Sequence, residues 1–313
     1  MTAPQAALTR FVAEELVRPV PTAVAAFAAE LAARGGQGVV GVVFYGSALR
    51  TSATDGLLDF YILLDRLEAW DASPALRFGN KVLPPNVEYA ETTAAGMTLR
   101  AKLAVMTLEQ FRRHARHESR DTTIWARFAQ PCALGWSRDA FAAQSVAEAV
   151  SVAVRGASWW AAHLGPKTGS ATDFWLALFS RTYASELRVE GASRSGSIVE
   201  AAPERYGRAL RLGWAAEGIA FREAMGELAP DISDEARQNA EGAWRTRKRL
   251  AKPLNLLRLA KAAFSFSGGV DYIAWKIERH SGHRVEVTPF QRRHPLLAAG
   301  PALWRLWRKG VLR

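Results

Sequence analysis

The run Val39-Val40-Gly41-Val42-Val43-Phe44-Tyr45 does most to limit what this chain can fold into. Four valines and two aromatics in seven residues lose side-chain freedom in a helix and pack well on a pleated surface, so the run reads as a buried strand. Gly46-Ser47 closes it. After a polar loop comes a second apolar run, Leu57 to Leu64, interrupted by Asp59 alone. Further strands are expected at Asn86 to Ala90 and Leu99 to Met106. Thr107 reads as the cap of a helix from Leu108 to His117, with Glu109 in its first turn. Ahead of the strands, Leu8 to Arg34 alternates apolar and charged residues at helical spacing and closes at Gly35-Gly36, which predicts one helix with a glycine stop.

Beyond about residue 145 the strand pattern disappears. Ala-rich, Trp-containing stretches predict helices from Ser145 to His163, Asp173 to Glu190, Glu204 to Gly226 and Ser233 to about Leu250. The Gly/Ser-rich stretch 191–197 reads as a loop. The expected fold is α+β, with a mixed-sheet domain over 1–140, a helical domain over 141–250 and a basic amphipathic tail over 251–313.

Charge supports that division. Residues 1–240 hold 25 basic and 26 acidic side chains, whereas 241–313 hold 16 basic and 4 acidic. A cationic tail on a neutral body calls for an anionic partner, and its pattern favours a lipid surface over nucleic acid. Leu256, Leu257, Ala260, Ala263 and Phe264 share one helical face, with Asn255, Arg258 and Lys261 turned away from it. At the end of the chain Trp304 and Trp307 recur beside Arg305, Arg308 and Lys309, the composition of a helix lying in a membrane interface. Each basic residue near an anionic surface contributes about 1 kcal/mol. No stretch approaches the ~18–20 apolar residues of a membrane span. Glu14 and Glu15 interrupt the N-terminal apolar pattern, which argues against a signal peptide. The one cysteine, Cys132, forms no internal disulfide, which fits a reducing compartment. The expected location is cytoplasmic, bound peripherally to the inner membrane.

The chemistry concentrates where the first strand ends. A Gly-Ser pair leaving a buried strand lets backbone N–H groups approach a phosphate, the serine adds a donor, and a following helix N-terminus favours negative charge. A carboxylate on the neighbouring strand, here Asp59, holds a divalent cation on the same phosphates. Nucleotidyltransferases of the polymerase-β type follow this pattern, with Gly-Ser and then Asp-x-Asp or Asp-x-Glu about a dozen residues later. In this chain Tyr61 occupies the place of the second acid. The same residues also fit an ordinary strand–turn–helix connection.

More of the chain extends the likeness. Tyr45-Gly46-Ser47-Ala48-Leu49, Leu58 to Asp65 with Trp70 after it, Leu99 to Val105, Ile124 to Pro131, and Leu259 to Ala262 through Gly269 to Ile277 resemble, in that order, the Tam41 (Mmp37) family of peripheral phosphatidate cytidylyltransferases of mitochondria and some bacteria. Ala48 stands where that family has glycine. The resemblance implies a nucleotidyltransferase-like catalytic domain that moves CMP from CTP to phosphatidate, giving CDP-diacylglycerol and pyrophosphate with Mg²⁺ as cofactor. On that reading Asp59 is the first metal ligand and Glu88 the best third-strand acid, with Asp55 and Asp65 behind them. Lys102 and Arg100, two apart on one strand and so on one face, meet the triphosphate or the lipid phosphate. Tyr45, Gly46 and Ser47 form the phosphate loop, and Arg50 clamps a phosphate bidentately. For Glu88, Lys102, Arg100 and Arg50 a solvated surface position is the alternative. The same fold acting on another acceptor, and a non-catalytic lipid- or nucleic-acid-binding relative, are the competing functions. Gly36-Gln37-Gly38-Val39-Val40-Gly41 spells a dinucleotide fingerprint, but it follows a helix and precedes a strand, the reverse of what that site requires.

Overall fold

The computed structural model describes residues 1–51, 56–94, 97–185, 198–265 and 288. It is an α+β protein built on a five-stranded mixed sheet. The strands are β1 (Val39–Tyr45), β2 (Leu57–Leu64), β3 (Asn86–Ala94), β4 (Met97–Thr107) and β5 (Cys132–Ser137), in the order β3-β4-β2-β1-β5. β2 and β4 run parallel; the other neighbours are antiparallel. β1 is buried along its whole length, as its valines predict. The strand at Cys132–Ser137 is too short and irregular in its alternation to have been read from the sequence.

Each face of the sheet has its own cover. α2 (Thr22–Gly35) lays Val24, Phe27 and Leu31 on Val42, Phe44, Phe60, Ile62, Leu103 and Val105. The opposite face, carrying Val43, Tyr45, Tyr61, Ala104 and Met106, packs against α1 (Ala3–Leu16), α5 (Leu108–Ala115), α6 (Thr123–Phe128) and the 25-residue α7 (Ala140–Leu164). That apolar core continues without a break into α8 (Ala171–Ser185), α9 (Pro203–Glu217) and Trp244 of α10 (Asp234–Ser265). The switch from sheet to helices falls near residue 140, but both sides of it share one core.

Several elements differ from their sequence reading. The single helix expected over Leu8 to Arg34 is two, because Pro19 and Pro21 cannot donate into a helix and disfavour helical backbone before them. The Thr107 cap is present, and its reciprocal partner is Gln110. The helix expected to reach Gly226 ends at Glu217, where Gly218 takes the left-handed C-cap conformation (φ 72°, ψ 20°). A hairpin follows, β6 (Phe221–Ala224) and β7 (Glu227–Pro230), turning at Met225 and Gly226 with φ of 52° and 82°. Positive φ at both central residues is the turn that matches strand twist.

α10 runs past residue 250, through Pro253, to Ser265. Beyond residue 250 its inward side chains include two cations. Arg258 forms an ion pair with buried Asp121 at 2.5 Å, and the Lys261 ammonium donates to the Leu83 and Pro85 carbonyls. Leu256 and Leu257 face outward, away from Arg258 and Lys261, as the expected division of this stretch into an apolar and a polar face has it. Burial and the nearby Arg258 bring the Lys261 pKa down to about 8. Burial alone would raise the Asp121 carboxyl, but Arg258 and the Thr123 hydrogen bonds hold it below its ordinary value. Trp304, Arg305, Trp307, Arg308 and Lys309 lie outside the described residues, as do stretch 191–197 and Asp55.

Candidate functional site

The sheet register gathers the predicted residues into one row. Tyr45, the last residue of β1, pairs with Asp59 of β2 and Cys132 of β5; Asp59 pairs with Lys102 of β4, and Lys102 with Tyr89 of β3. Directly paired residues project to the same face, so Tyr45, Asp59 and Lys102 meet on the side covered by α6 and α7.

Gly46 makes the turn out of β1 possible. Its φ of 93° is a conformation that side-chain-bearing residues avoid, and a Cβ there would stand 2.9 Å from Oδ2 of Asp59. The glycine therefore brings the chain against the carboxylate as well as turning it. Ser47 opens α3 (Ser47–Thr51), a single turn in which the Thr51 hydroxyl donates to the Ser47 carbonyl at 3.1 Å. The helix terminus expected to support anion binding thus amounts to one turn.

A cavity of about 200 Å³ opens here, lined by Tyr45, Gly46, Ser47, Arg50, Asp59 and Lys102. The wall opposite the sheet consists of Ala126 and Arg127 of α6, Gln130 just beyond it, and Thr182 and Tyr183 of α8. These four polar residues were not singled out from the sequence. Arg127 and Gln130 lie in the stretch Ile124 to Pro131 that carries part of the family likeness, but nothing local marks them as site residues. The Arg127 guanidinium donates to the Tyr61 hydroxyl at 3.2 Å and lies 5.8 Å from the centre of the Tyr45 ring. Arg205 braces this wall from behind: it donates to the Ala129 carbonyl and grips Glu15 of α1 through two bonds of 2.8 and 2.9 Å.

Glu88 requires a correction. It pairs with Leu103, one position out of phase with Lys102, and so points to the other face of the sheet. There it accepts from Trp70 Nε1 at 2.8 Å and from Arg34 at 3.0 Å, a buried structural acid well away from Asp59. Arg100 shares the face of Lys102 but pairs with Glu91, forming a 3.8 Å ion pair, and does not line the cavity. Asp65 belongs to the opposite end of β2, bound to Arg138 at 2.5 Å. Gly36 to Gly38 form a 3₁₀ turn between α2 and β1, as the discounted fingerprint requires.

The donor set limits which metal fits. Among the described residues Asp59 is the one carboxylate lining the cavity, beside the cations Arg50, Lys102 and Arg127, and no three His, Cys, Asp or Glu side chains group as metal ligands. Mg²⁺ is commonly held by one or two carboxylates plus the phosphates of a substrate. The described residues therefore fit one Mg²⁺ at Asp59 completed by a nucleotide. No protein-family model and no curated protein matches the chain.

Proposed function

We propose that the protein is a nucleotidyltransferase of the polymerase-β type that transfers CMP from CTP to phosphatidate at an anionic membrane surface. The observation that carries this reading is the Gly46-Ser47 turn held against Asp59 in a cavity whose other charged residues are Arg50, Lys102 and Arg127. A site whose described lining holds one carboxylate and three cations suits a substrate bearing several negative charges.

The roles follow from chemistry. The Gly46-Ser47 backbone and the Ser47 hydroxyl bind phosphate oxygens, Arg50 and Lys102 counter their charge, and Asp59 fixes the metal-bearing end of the nucleotide. A bound Mg²⁺ would neutralise charge on the departing pyrophosphate. A phosphatidate oxygen, already ionised at neutral pH, forms the new bond to the α-phosphorus of CTP. The bond from that phosphorus to the β-phosphate bridging oxygen breaks, and its electrons leave with pyrophosphate. The nucleophile carries no proton to remove, so a second carboxylate acting as base is not required.

Membrane docking draws support from the outer side of α10. Arg245, Lys248, Arg249 and Lys252 form an exposed cationic stripe that runs into exposed Leu256 and Leu257. Exposed Phe78 and Val82 lie on α4 (Pro74–Val82), whose Gly79 adjoins Lys261. Cations beside protruding apolar side chains suit an anionic bilayer. Among the described residues no helix is long and apolar enough to cross a membrane.

The test is pyrophosphate release from CTP and Mg²⁺ with phosphatidate in mixed vesicles. Release that needs phosphatidate and is lost in a folded Asp59→Asn variant is the expected result. Release from CTP with a soluble acceptor instead would keep the fold reading and replace the acceptor. CTP binding without any release would favour the non-catalytic relative, which the tyrosine at position 61 also suits.

A further inference from the structure

Tyr61 stands two residues after Asp59 on the same strand and face, where the nucleotidyltransferase pattern has its second acid. It is 1% exposed and packed edge-on against Tyr45, Phe111 and Phe128, with ring centres 5.4, 6.1 and 4.9 Å away. That packing fixes the ring and so the position of its hydroxyl, which accepts from Nη1 of Arg127. Arg127 in turn lines the same cavity as Asp59 and Lys102. The position that would supply a second metal ligand is therefore used to place a guanidinium.

We propose that Arg127, positioned by the Tyr61 hydroxyl, binds the phosphate chain of the nucleotide and supplies positive charge that a second metal ion, held by an acid at position 61, would otherwise bring. A planar guanidinium offers paired N–H donors that match two phosphate oxygens, and its charge is independent of pH over the physiological range. Tyr61 is a positioning residue in this arrangement, since it touches the arginine and not the substrate. The proposal rests on the reading of the cavity as a phosphate-binding site. It adds that part of the phosphate affinity comes from the protein itself and persists without metal.

Inorganic pyrophosphate titrated calorimetrically into the full chain, once in EDTA and once in Mg²⁺, tests this. The wild-type protein should bind pyrophosphate in EDTA. Arg127→Ala should weaken that binding at least tenfold, Arg127→Lys should restore part of it, and Tyr61→Phe should weaken it severalfold. Tyr61→Phe keeps the ring packing, so its melting temperature should stay close to wild type and separate positioning from folding. Equal affinity of wild type and Arg127→Ala in EDTA, or an unchanged Tyr61→Phe, overturns the proposal. Binding that appears only with Mg²⁺ and ignores Arg127 also overturns it, while leaving the phosphate site intact. Failure to bind pyrophosphate under either condition removes the site reading and the proposal together.

Discussion

Replacing Gly46 with alanine tests how the phosphate turn is built, because the substitution acts in two ways that can be measured apart. A non-glycine residue forced into left-handed backbone costs about 1–2 kcal/mol. The φ of 93° at Gly46 lies beyond the usual left-handed minimum, and the new methyl would meet Oδ2 of Asp59 at 2.9 Å. Either the carboxylate rotates or the turn opens. Strain of this kind costs about 1–3 kcal/mol in total. Gly218→Ala is the internal control: Gly218 also has positive φ, 72°, but nothing lies within 4 Å of its Cβ position and it lies outside the cavity. Its cost should be backbone strain alone, about 1 kcal/mol. Urea unfolding of the two variants gives the stabilities, and CTP binding together with pyrophosphate release in the presence of Mg²⁺ and phosphatidate gives the functional effect. Gly46→Ala should be the less stable of the two and should lose more than tenfold in turnover, since misplacing a reacting group by about 1 Å costs on the order of 10²-fold. Gly218→Ala should keep wild-type binding and turnover. Equal stability losses together with unchanged CTP binding in Gly46→Ala would refute the close contact between turn and carboxylate.

Three further perturbations probe the scaffold. Glu88→Gln should leave turnover within about twofold of wild type and lower stability by about 1 kcal/mol through the lost Arg34 ion pair; a large loss of activity with intact folding would return Glu88 to the site. Arg205→Ala should cost about 2–3 kcal/mol in urea unfolding, because half-buried Glu15 loses two charge-assisted bonds and keeps only Arg18, and the Ala129 carbonyl loses its donor; a loss under about 1 kcal/mol would contradict the pairing. Burial lowers the pKa values of His163 and His114, against the opposing pull of the Trp159 carbonyl on one and Asp121 on the other. The unfolded chain therefore takes up protons first as pH falls below about 6.5, and the stability present above that pH is lost on acidification. The melting temperature should fall between pH 7.5 and 5.5, and by less in His163→Gln; identical falls would rule out His163 as a contributor.

How much of this was legible in the sequence depended on whether the signal was local. The valine run of β1, the Gly46-Ser47 exit and the lone acid in Leu57–Leu64 are local, and the register then brings Tyr45, Asp59 and Lys102 together on one face. Glu88 shows what spacing within one strand cannot fix. A shift of one residue in pairing sends a side chain to the opposite face, and the Tyr89–Lys102 pairing leaves Glu88 against Arg34 and Trp70. The far wall of the cavity was invisible for a different reason. Arg127 and Gln130 follow from the docking of α6, and Thr182 and Tyr183 from that of α8, some 120 residues after Asp59 in the chain. Their helical periodicity reports burial and carries no mark of the site. Pro19-Val20-Pro21 and Met225-Gly226 were readable signals that a continuous helical pattern outweighed.

The fate of label from CTP decides whether the cavity at Asp59 transfers a nucleotidyl group. Two samples of CTP, labelled on the α- or the γ-phosphate, are incubated with the full chain, Mg²⁺ and phosphatidate vesicles, and the chloroform phase is counted. Nucleotidyl transfer predicts α-label in the lipid, γ-label in aqueous pyrophosphate, and neither movement in Asp59→Asn. γ-Label in the lipid, or α-label reaching it equally in Asp59→Asn, would contradict a nucleotidyl-transfer site at Gly46, Ser47 and Asp59.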